Sequence, residues 1–502
     1  MSASLENTAV LIAGAGIMGS GIAQVAAQAG HSVMLYDSAP GAAAVAREKL
    51  QATFSRLVAK GKFSADAASQ VLARIEPVDR LEHGAGAGLV IEAVLEDLET
   101  KQTLLQQLEQ IVTADCVLAS NTSSLSVTAL ANGLQHPERL VGMHFFNPVP
   151  LMKLVEVVSG LQTSSEIADS IYQLAQAWGK IAVHARSTPG FIVNRIARPF
   201  YAEALALLQE QAATPGLLDA CMRGAGFRMG PCELMDLIGH DTNFAVTQSV
   251  WTANYYDGRY SPSIVQREMV DGGLLGRKSG RGFYDYAETP NAPATPTTDV
   301  NLPAKDASLC VHGDDRIAAR IAASLEQRGY RCERERGSDW VGLQVNAAQL
   351  RLTDGRCAFE FGADSAVFDL PLQDGGESLL AWSHSAQASA GWIAEVPAWL
   401  ALLGFVPQRI EDVPGLVVAR SVAMIINEAA DAVHQGVCTA EAADLAMKLG
   451  VNYPAGPFEW LARWHPQRVT RLLDHLDAHY RGERYRVSPW LRRAAGLAEK
   501  QS

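Results

Sequence analysis

The amino-acid sequence predicts an α/β domain on a mostly parallel sheet and then an all-helical domain. A degenerate α/β domain and a second helical copy follow. Three observations carry this reading. Short apolar runs alternate with helical stretches through the first 186 residues. Residues 189–286 read as several helices with few strand candidates. Residues 404–459 repeat 179–233 at an offset of 225, with one inserted residue near the end. Alternation of the first kind implies parallel strands covered on both faces. At roughly 150 residues per domain, a chain of 502 residues has room for about three domains, and the repeat raises this to four segments.

The elements run as follows. Thr8–Ala13 is a short apolar strand, followed by Gly14-Ala15-Gly16-Ile17-Met18-Gly19 and a helix-like stretch, Gly21–Ala29. A second strand, Ser32–Tyr36, ends in Asp37. This is a βαβ unit. Strand-like runs recur at Gly88–Val94, Cys116–Ser120, Val141–Phe145 and Lys153–Val158, with helical stretches such as Leu98–Val112 between them. Residues 287–305 hold four prolines and almost no large apolar side chain, so they read as an extended linker. Beyond it, Ser308–Gly404 opens with a strand, a helix over Arg316–Arg328 and another strand. It resembles half of a βαβ sheet, with the single Gly313 where the first domain has three glycines. Seven of nine tryptophans lie after residue 335, a composition shift that supports a boundary there. The predicted segments are 1–186, 187–286, a linker at 287–306, 307–405 and 406–502.

Composition narrows the function classes. Hydrophobic residues make 48% of the chain and charged residues 19%, which is ordinary globular usage and excludes bulk disorder. The net charge of −12 argues against a nucleic-acid partner, which needs a dense basic face. It leaves open a small anionic ligand held locally. No apolar run reaches the ~18 residues of a membrane span. The N-terminus lacks the basic region of a signal peptide. The seven cysteines include no C-x-x-C pair, which suggests reduced thiols in a cytoplasm with no disulfide framework and no zinc site.

Four features point to chemistry. The first is G-x-G-x-x-G at Gly14, Gly16 and Gly19, following a strand and opening a helix. Such a loop makes a tight turn, lets the backbone approach a pyrophosphate and offers a helix N-terminus to the anion. Asp37 lies 18 residues beyond Gly19 at the next strand end, where an acid suits two ribose hydroxyls and repels a 2′-phosphate. No Arg follows in Ser38-Ala39, so NAD is expected over NADP. The second is Asn121-Thr122-Ser123-Ser124 after a strand. It reads equally as a ligand-facing cluster or as the N-cap of a helix at Val127–Leu130.

The third feature is His144 at a strand end with Glu156 twelve residues on, inside an apolar run. A lone His among apolar residues is usually a satisfied core residue. A carboxylate in such a run, however, is costly to bury unless paired. Beside a His it would orient the ring and stabilise imidazolium. The fourth is Asn194, on an apolar helix face after Pro189-Gly190. Its counterpart in the repeat is Ala419, so the copy keeps the packing residues and drops the amide. The copy also lacks any likeness of His144 and Glu156, which predicts one active site per chain.

These motifs together resemble the L-3-hydroxyacyl-CoA dehydrogenase family. GAGIMG, NTSSL, HFFNPVPLMKLVEV, TPGFIVNR and GRKSGRGFYDY occur in its order, and the likeness covers residues 5–286 almost continuously. The stretch ACMRGAGFRMGPCELMDLIGHDTNF and the duplicated helical domain resemble a longer bacterial subgroup associated with phenylacetate degradation. The resemblance implies a Rossmann NAD-binding domain and NAD-dependent oxidation of an (S)-3-hydroxyacyl-CoA to the 3-oxoacyl-CoA, with 3-hydroxyadipyl-CoA as the implied substrate. 3-Hydroxybutyryl-CoA, or a general fatty-acid β-oxidation role, is the alternative.

It implies His144 as general base, Glu156 as its partner, and Ser123 and Asn194 as groups orienting the substrate oxygen. Gly14, Gly16, Ile17, Met18, Gly19 and Asp37 would hold the cofactor. Glu96, Lys101, Ser123 and Asn147 would line its nicotinamide and ribose, with Lys278 near it late in the chain. For the CoA, Lys60 and Lys62 are the candidates beside Ser123 and Asn194. No metal is implied. Two readings of other classes are a non-catalytic NAD-binding structural protein and a dehydrogenase of free β-hydroxyacids. Because the helical domain dimerises in single-repeat relatives, the fused copy would imitate that dimer within one chain or support a homodimer or higher oligomer.

Overall fold

The structure is a computed structural model that describes residues 5–287, 303, 305–373 and 378–499. Most of the predicted linker, 287–306, lies outside these residues. The chain forms two compact units. One comprises the residues up to Arg195 together with Gln435–Val451, and the other comprises Ile196–His434 and the residues from Asn452 on.

The first unit is built on eight strands: β1 (Val10–Ala13), β2 (Val33–Tyr36), β3 (Ile75–Val78), β4 (Leu89–Glu92), β5 (Val117–Ser120), β6 (Leu140–Phe145), β7 (Leu154–Ser159) and β8 (Ile181–Arg186). Their order is β3-β2-β1-β4-β5-β6-β7-β8, parallel throughout except for the antiparallel pair β6–β7. The sequence reading lacks β3 and β8. Both are edge strands, and β3 carries Glu76 and Pro77 in place of an apolar run. The first helix spans Ile17–Gln28, four residues earlier than the predicted Gly21 start, because Gly16 is itself the N-cap. Val10, Ile12, Leu35, Ile91, Val117, Met143 and Val155 belong to one continuous buried core. Strand order reverses at β1, with β2 on one side and β4 on the other. A crevice at the carboxyl ends of such strands is where open α/β sheets bind ligands.

A helix of the second repeat, Ala440–Gly450, belongs to this first unit. Val437 accepts a backbone hydrogen bond from Arg186 at 2.9 Å. Gly450 lies so close to Leu154 and Val193 that a Cβ there would stand 2.9 Å from each.

The second unit holds β9 (Leu309–His312), β10 (Glu333–Glu335), β11 (Gly342–Val345), β12 (Ala348–Leu352), β13 (Ser365–Phe368), β14 (Ser378–His384) and β15 (Phe405–Arg409), in the order β10-β9-β11-β12-β13-β14-β15. β9 and β10 are the two strands read from the sequence, and the other five make this more than the half sheet expected; AQLRL, for one, shows no apolar run. The pairing senses of β12 to β15 are parallel, antiparallel, parallel, which repeats β5 to β8.

The two helical repeats meet within this second unit in an exchange of partners. Glu203 on helix Arg198–Gln209 is fully buried. It accepts from Arg420 Nε at 2.6 Å, Arg484 Nη2 at 2.9 Å and Tyr485 at 3.0 Å. Glu428 on helix Val418–His434 accepts from Arg259 at 3.3 Å and Tyr260 at 2.6 Å. Arg259 and Tyr260 are the offset-225 counterparts of Arg484 and Tyr485, as Glu203 is of Glu428. Each repeat thus neutralises the buried acid of the other. Such reciprocity is what an isologous dimer interface shows between two chains.

Candidate active site

The glycine loop behaves as its spacing requires. Gly14 has φ of +109°, and a Cβ there would stand 2.5 Å from the Ala93 carbonyl oxygen. At Gly19 a Cβ would stand 1.7 Å from the Gly14 carbonyl oxygen, so helix and strand could not close with any larger residue. A Cβ at Gly16 would meet nothing within 4 Å, so the loop faces open space at the helix N-terminus. The next residue, Ile17, is 78% exposed, whereas Met18 packs against the core. Asp37 directly follows β2, and its Oδ2 accepts from Ala15 N at 2.8 Å, tying the loop to the second strand. These residues fit the pyrophosphate and ribose of a dinucleotide: an open cradle of backbone N–H groups beside an acid.

Under the neighbouring strand ends lies an ionic cluster. Lys101, on the helix Leu98–Ile111, is 1% exposed, and its Nζ donates to Glu92 Oε2 at 2.8 Å and lies 3.4 Å from Glu96. Glu92 ends β4, is fully buried, and also accepts from Ser120 Oγ. Glu96 Oε1 gathers Thr122 Oγ1 and Ser123 N, both at 2.7 Å, and Ser124 N at 3.0 Å. Burial works against the Glu96 charge. The Lys101 ammonium and the Thr122, Ser123 and Ser124 hydrogen bonds outweigh it and hold the carboxyl below its usual range. The helix Val127–Leu130 is capped by Ser126, which accepts from Ala129 N, so capping does not account for residues 121–124. They fold around Glu96, with Asn121 Oδ1 taking Phe145 N at 2.9 Å.

Glu92 went unnoticed in the sequence, although an acid in an apolar strand is the signal that marks Glu156. Lys101, expected to line the nicotinamide or ribose, lies beneath the surface and pairs with Glu92 and Glu96.

The antiparallel register of β6 and β7 sets His144 opposite Glu156. Nδ1 of His144 lies 2.6 Å from Glu156 Oε2. The carboxylate is fully buried, and its Oε1 accepts from Ile192 N at 3.1 Å and Val193 N at 3.0 Å, at the start of the segment bearing Asn194. Phe146 and Phe191 flank the imidazole, with ring centroids 4.5 and 5.9 Å away. An ionised Glu156 only accepts, so Nδ1 is the donor in this contact, and in the neutral ring the lone pair is then on Nε2. Asn194 Nδ2 donates to the Ser123 carbonyl at 3.2 Å, bringing two more of the predicted site residues together.

Four other predicted residues are exposed. Asn147 is exposed just after β6. Lys60 and Lys62 are exposed at the turn that follows the helix Ala42–Ala59. Lys278 belongs to the second unit, where its ammonium pairs with Asp241.

The second sheet shows how the duplicate lost this chemistry. Offset 225 carries His144 to Asp369 and Glu156 to Ala381. The registers agree, because β7 pairs Glu156 with Val183 and β14 pairs Ala381 with Gln408, also 225 apart. Asp369 accepts from Val417 N at 2.9 Å, Val418 N at 2.7 Å and Ala419 N at 2.9 Å. One short acid therefore does the anchoring that Glu156 does in the first copy, with no imidazole.

Comparison with known proteins agrees with this geometry. Residues 9–188 match the 3-hydroxyacyl-CoA dehydrogenase NAD-binding domain, and residues 190–286 and 415–501 each match its C-terminal domain. Residues 350–414 match the 3-hydroxybutyryl-CoA dehydrogenase reduced Rossmann-fold domain. The chain is 42% identical over 489 residues to a 3-hydroxyadipyl-CoA dehydrogenase of Escherichia coli, covering 97% of each. It is 42% identical over 285 residues to a probable 3-hydroxybutyryl-CoA dehydrogenase of Bacillus subtilis, covering 57% of this chain and 99% of the relative. A crystal structure of 3-hydroxybutyryl-CoA dehydrogenase from Escherichia coli superposes with a TM-score of 0.88 at 40% identity, covering 99% of this chain and all of that one. The chain belongs to the 3-hydroxyacyl-CoA dehydrogenase family and is an NAD-dependent oxidoreductase.

Proposed function

We propose that this chain oxidises the 3-hydroxyl of an (S)-3-hydroxyacyl-CoA at a single site built on His144, and that its acyl group is 3-hydroxyadipyl. The observation that carries the site is the 2.6 Å contact between His144 Nδ1 and a buried Glu156 already holding two backbone N–H groups. Nε2 of His144 takes the hydroxyl proton, and the charge this creates on the ring is balanced by Glu156 across the same hydrogen bond. NAD, when bound, supplies the acceptor for the hydride that leaves C3. Ser123 and Asn194 hold the substrate oxygen in line with Nε2. Positioned general-base catalysis of this kind contributes about 10²–10⁴-fold.

The acyl assignment is supported by the 42% identity to the Escherichia coli 3-hydroxyadipyl-CoA dehydrogenase along its full length. The competing reading, 3-hydroxybutyryl-CoA, draws on the half-length relatives and on the superposed Escherichia coli 3-hydroxybutyryl-CoA dehydrogenase. Measuring kcat/KM for both thioesters with NAD and with NADP decides between them. Replacing His144 by Gln should remove most turnover while NAD binding persists. Unchanged kcat in that variant would sink the assignment.

The Lys60 and Lys62 ammonium groups are proposed to meet CoA phosphates, and Asn147 and Lys278 the cofactor. No helix among the described residues is long and apolar enough to cross a membrane. Seven free cysteines suit the reducing cytoplasm.

A further inference from the structure

The second sheet places three metal-binding side chains together, far in sequence from the catalytic residues. Cys310 and His312 stand two apart on β9 and so share one face of the sheet. Parallel β10 sets Glu335 opposite His312, and antiparallel β11 sets Gln344 opposite Cys310. Ligand atoms of Cys310, His312 and Glu335 all lie within 4.8 Å of one another. Opposite His312 on β11 is Gly342, which leaves the space beside the ring to Trp340, stacked at 4.0 Å.

The hydrogen-bond network fixes the tautomer of His312. Gln344 Nε2 donates to the Asn346 carbonyl at 2.9 Å, which turns Gln344 Oε1 toward the ring. His312 Nε2 is 3.1 Å from that oxygen and must donate to it. In the neutral ring Nδ1 then carries the lone pair. Nδ1 faces Glu335 Oε2 at 3.4 Å, with Ser338 Oγ at 3.1 Å. Nδ1 and the Glu335 carboxylate thus face each other on the side where Cys310 also lies, an arrangement in which the three can share one cation. Nitrogen and oxygen ligands of one tetrahedral zinc, each bound at about 2.0–2.1 Å, stand about 3.3 Å apart. The observed spacing matches that figure.

We propose that Cys310, His312 and Glu335 form a binding site for a zinc-class divalent metal ion. Thiolate, imidazole and carboxylate are the donors zinc takes. One thiolate and one carboxylate neutralise its charge, and Gln344 is the outer partner that orients the imidazole. The ion ties the three-residue edge strand β10 to β9. Sequence spacing hides the site, because C-x-H on one strand and a Glu on the next match no zinc pattern, and the expectation from cysteine spacing was that none exists.

The test uses the full chain, stripped with a chelator and titrated with zinc against a chromophoric competitor, and separately with cobalt. The expected result is one ion per chain and a thiolate-to-cobalt charge-transfer band. Cys310→Ser should abolish the band and weaken zinc at least 100-fold. Gln344→Leu, which leaves all three ligands in place, should weaken it about 10- to 100-fold. The proposal is overturned if wild type gives no such band. It is equally overturned if the band survives in Cys310→Ser and disappears in Cys357→Ser, which would assign the ion to the cluster of Cys357, Glu360 and His479. A plain His312–Glu335 ion pair would show as no stoichiometric uptake of zinc or cobalt, and that also refutes the site.

Discussion

Replacing Glu156 by Gln tests the catalytic reading most sharply, because the change keeps shape and alters only which atom donates. In the native protein Oε1 accepts two backbone N–H groups and Oε2 faces His144 Nδ1. A glutamine has two orientations. If its NH₂ replaces Oε1, it meets Ile192 N–H and Val193 N–H donor to donor. Two buried donors are then unsatisfied, at about 1–3 kcal/mol each. If its NH₂ replaces Oε2, both backbone bonds survive and the amide donates to His144 Nδ1. The second orientation is preferred by several kcal/mol, and it moves the ring proton to Nε2. The base is then blocked in its resting state, and the carboxylate that offsets imidazolium charge is gone.

A wrong-tautomer change of this type in the serine-protease triad lowers kcat about 10⁴-fold, which corresponds to about 5.5 kcal/mol of barrier. A fall of 10³–10⁴ in kcat is therefore expected here, with the NAD dissociation constant within about threefold of wild type. NADH absorbance gives kcat, and nitrogen NMR of His144 gives the tautomer. A variant that keeps kcat within tenfold, or a ring still protonated on Nδ1, would refute the reasoning.

Three further outcomes follow from the same geometry. Lys101→Met leaves Glu92 and Glu96 without their ammonium, and removing one partner of a buried pair costs about 3–5 kcal/mol, read as a lower urea midpoint. Because the folded Glu96 carboxyl titrates below its usual 4.5, the unfolded chain binds more protons in that range, so its contribution to stability is lost as pH falls below about 4.5. Glu96→Gln should flatten the dependence of Tm on pH there, and an unchanged acid limb would count against the Glu96 network. A chain ended at residue 286 loses Arg420, Arg484 and Tyr485 from around Glu203. It should sediment as a dimer in which Arg195, Arg259 and Tyr260 of a second copy take their places, and a stable monomer would exclude the built-in-dimer reading.

Much of the first unit was legible because its signals are local. A glycine turn after an apolar strand and an acid at the next strand end each lie close in sequence to what they determine. His144 and Glu156 were visible for another local reason: a carboxylate inside LVEVV is too costly to bury alone. Glu92 carried the same signal in GLVIEAV and was missed, because its partner Lys101 looks from sequence like a solvated helix residue. A strand such as AQLRL in the second sheet escaped because pairing, and no apolar pattern of its own, makes it a strand.

By itself the sequence determined which residues could do the chemistry, the cofactor preference and the duplication. Tertiary structure decided what those residues face. The antiparallel register of β6 and β7 turned a His and a Glu twelve residues apart into one hydrogen-bonded pair. The lending of helix Ala440–Gly450 to the first unit, and the exchange of arginines between repeats, decided how the duplication is used. Asp369 stands as a plain backbone anchor where the first sheet has a His–Glu pair. Local patterns fix what a segment can form within a few bonds, whereas burial and charge neutralisation are settled only when distant segments meet.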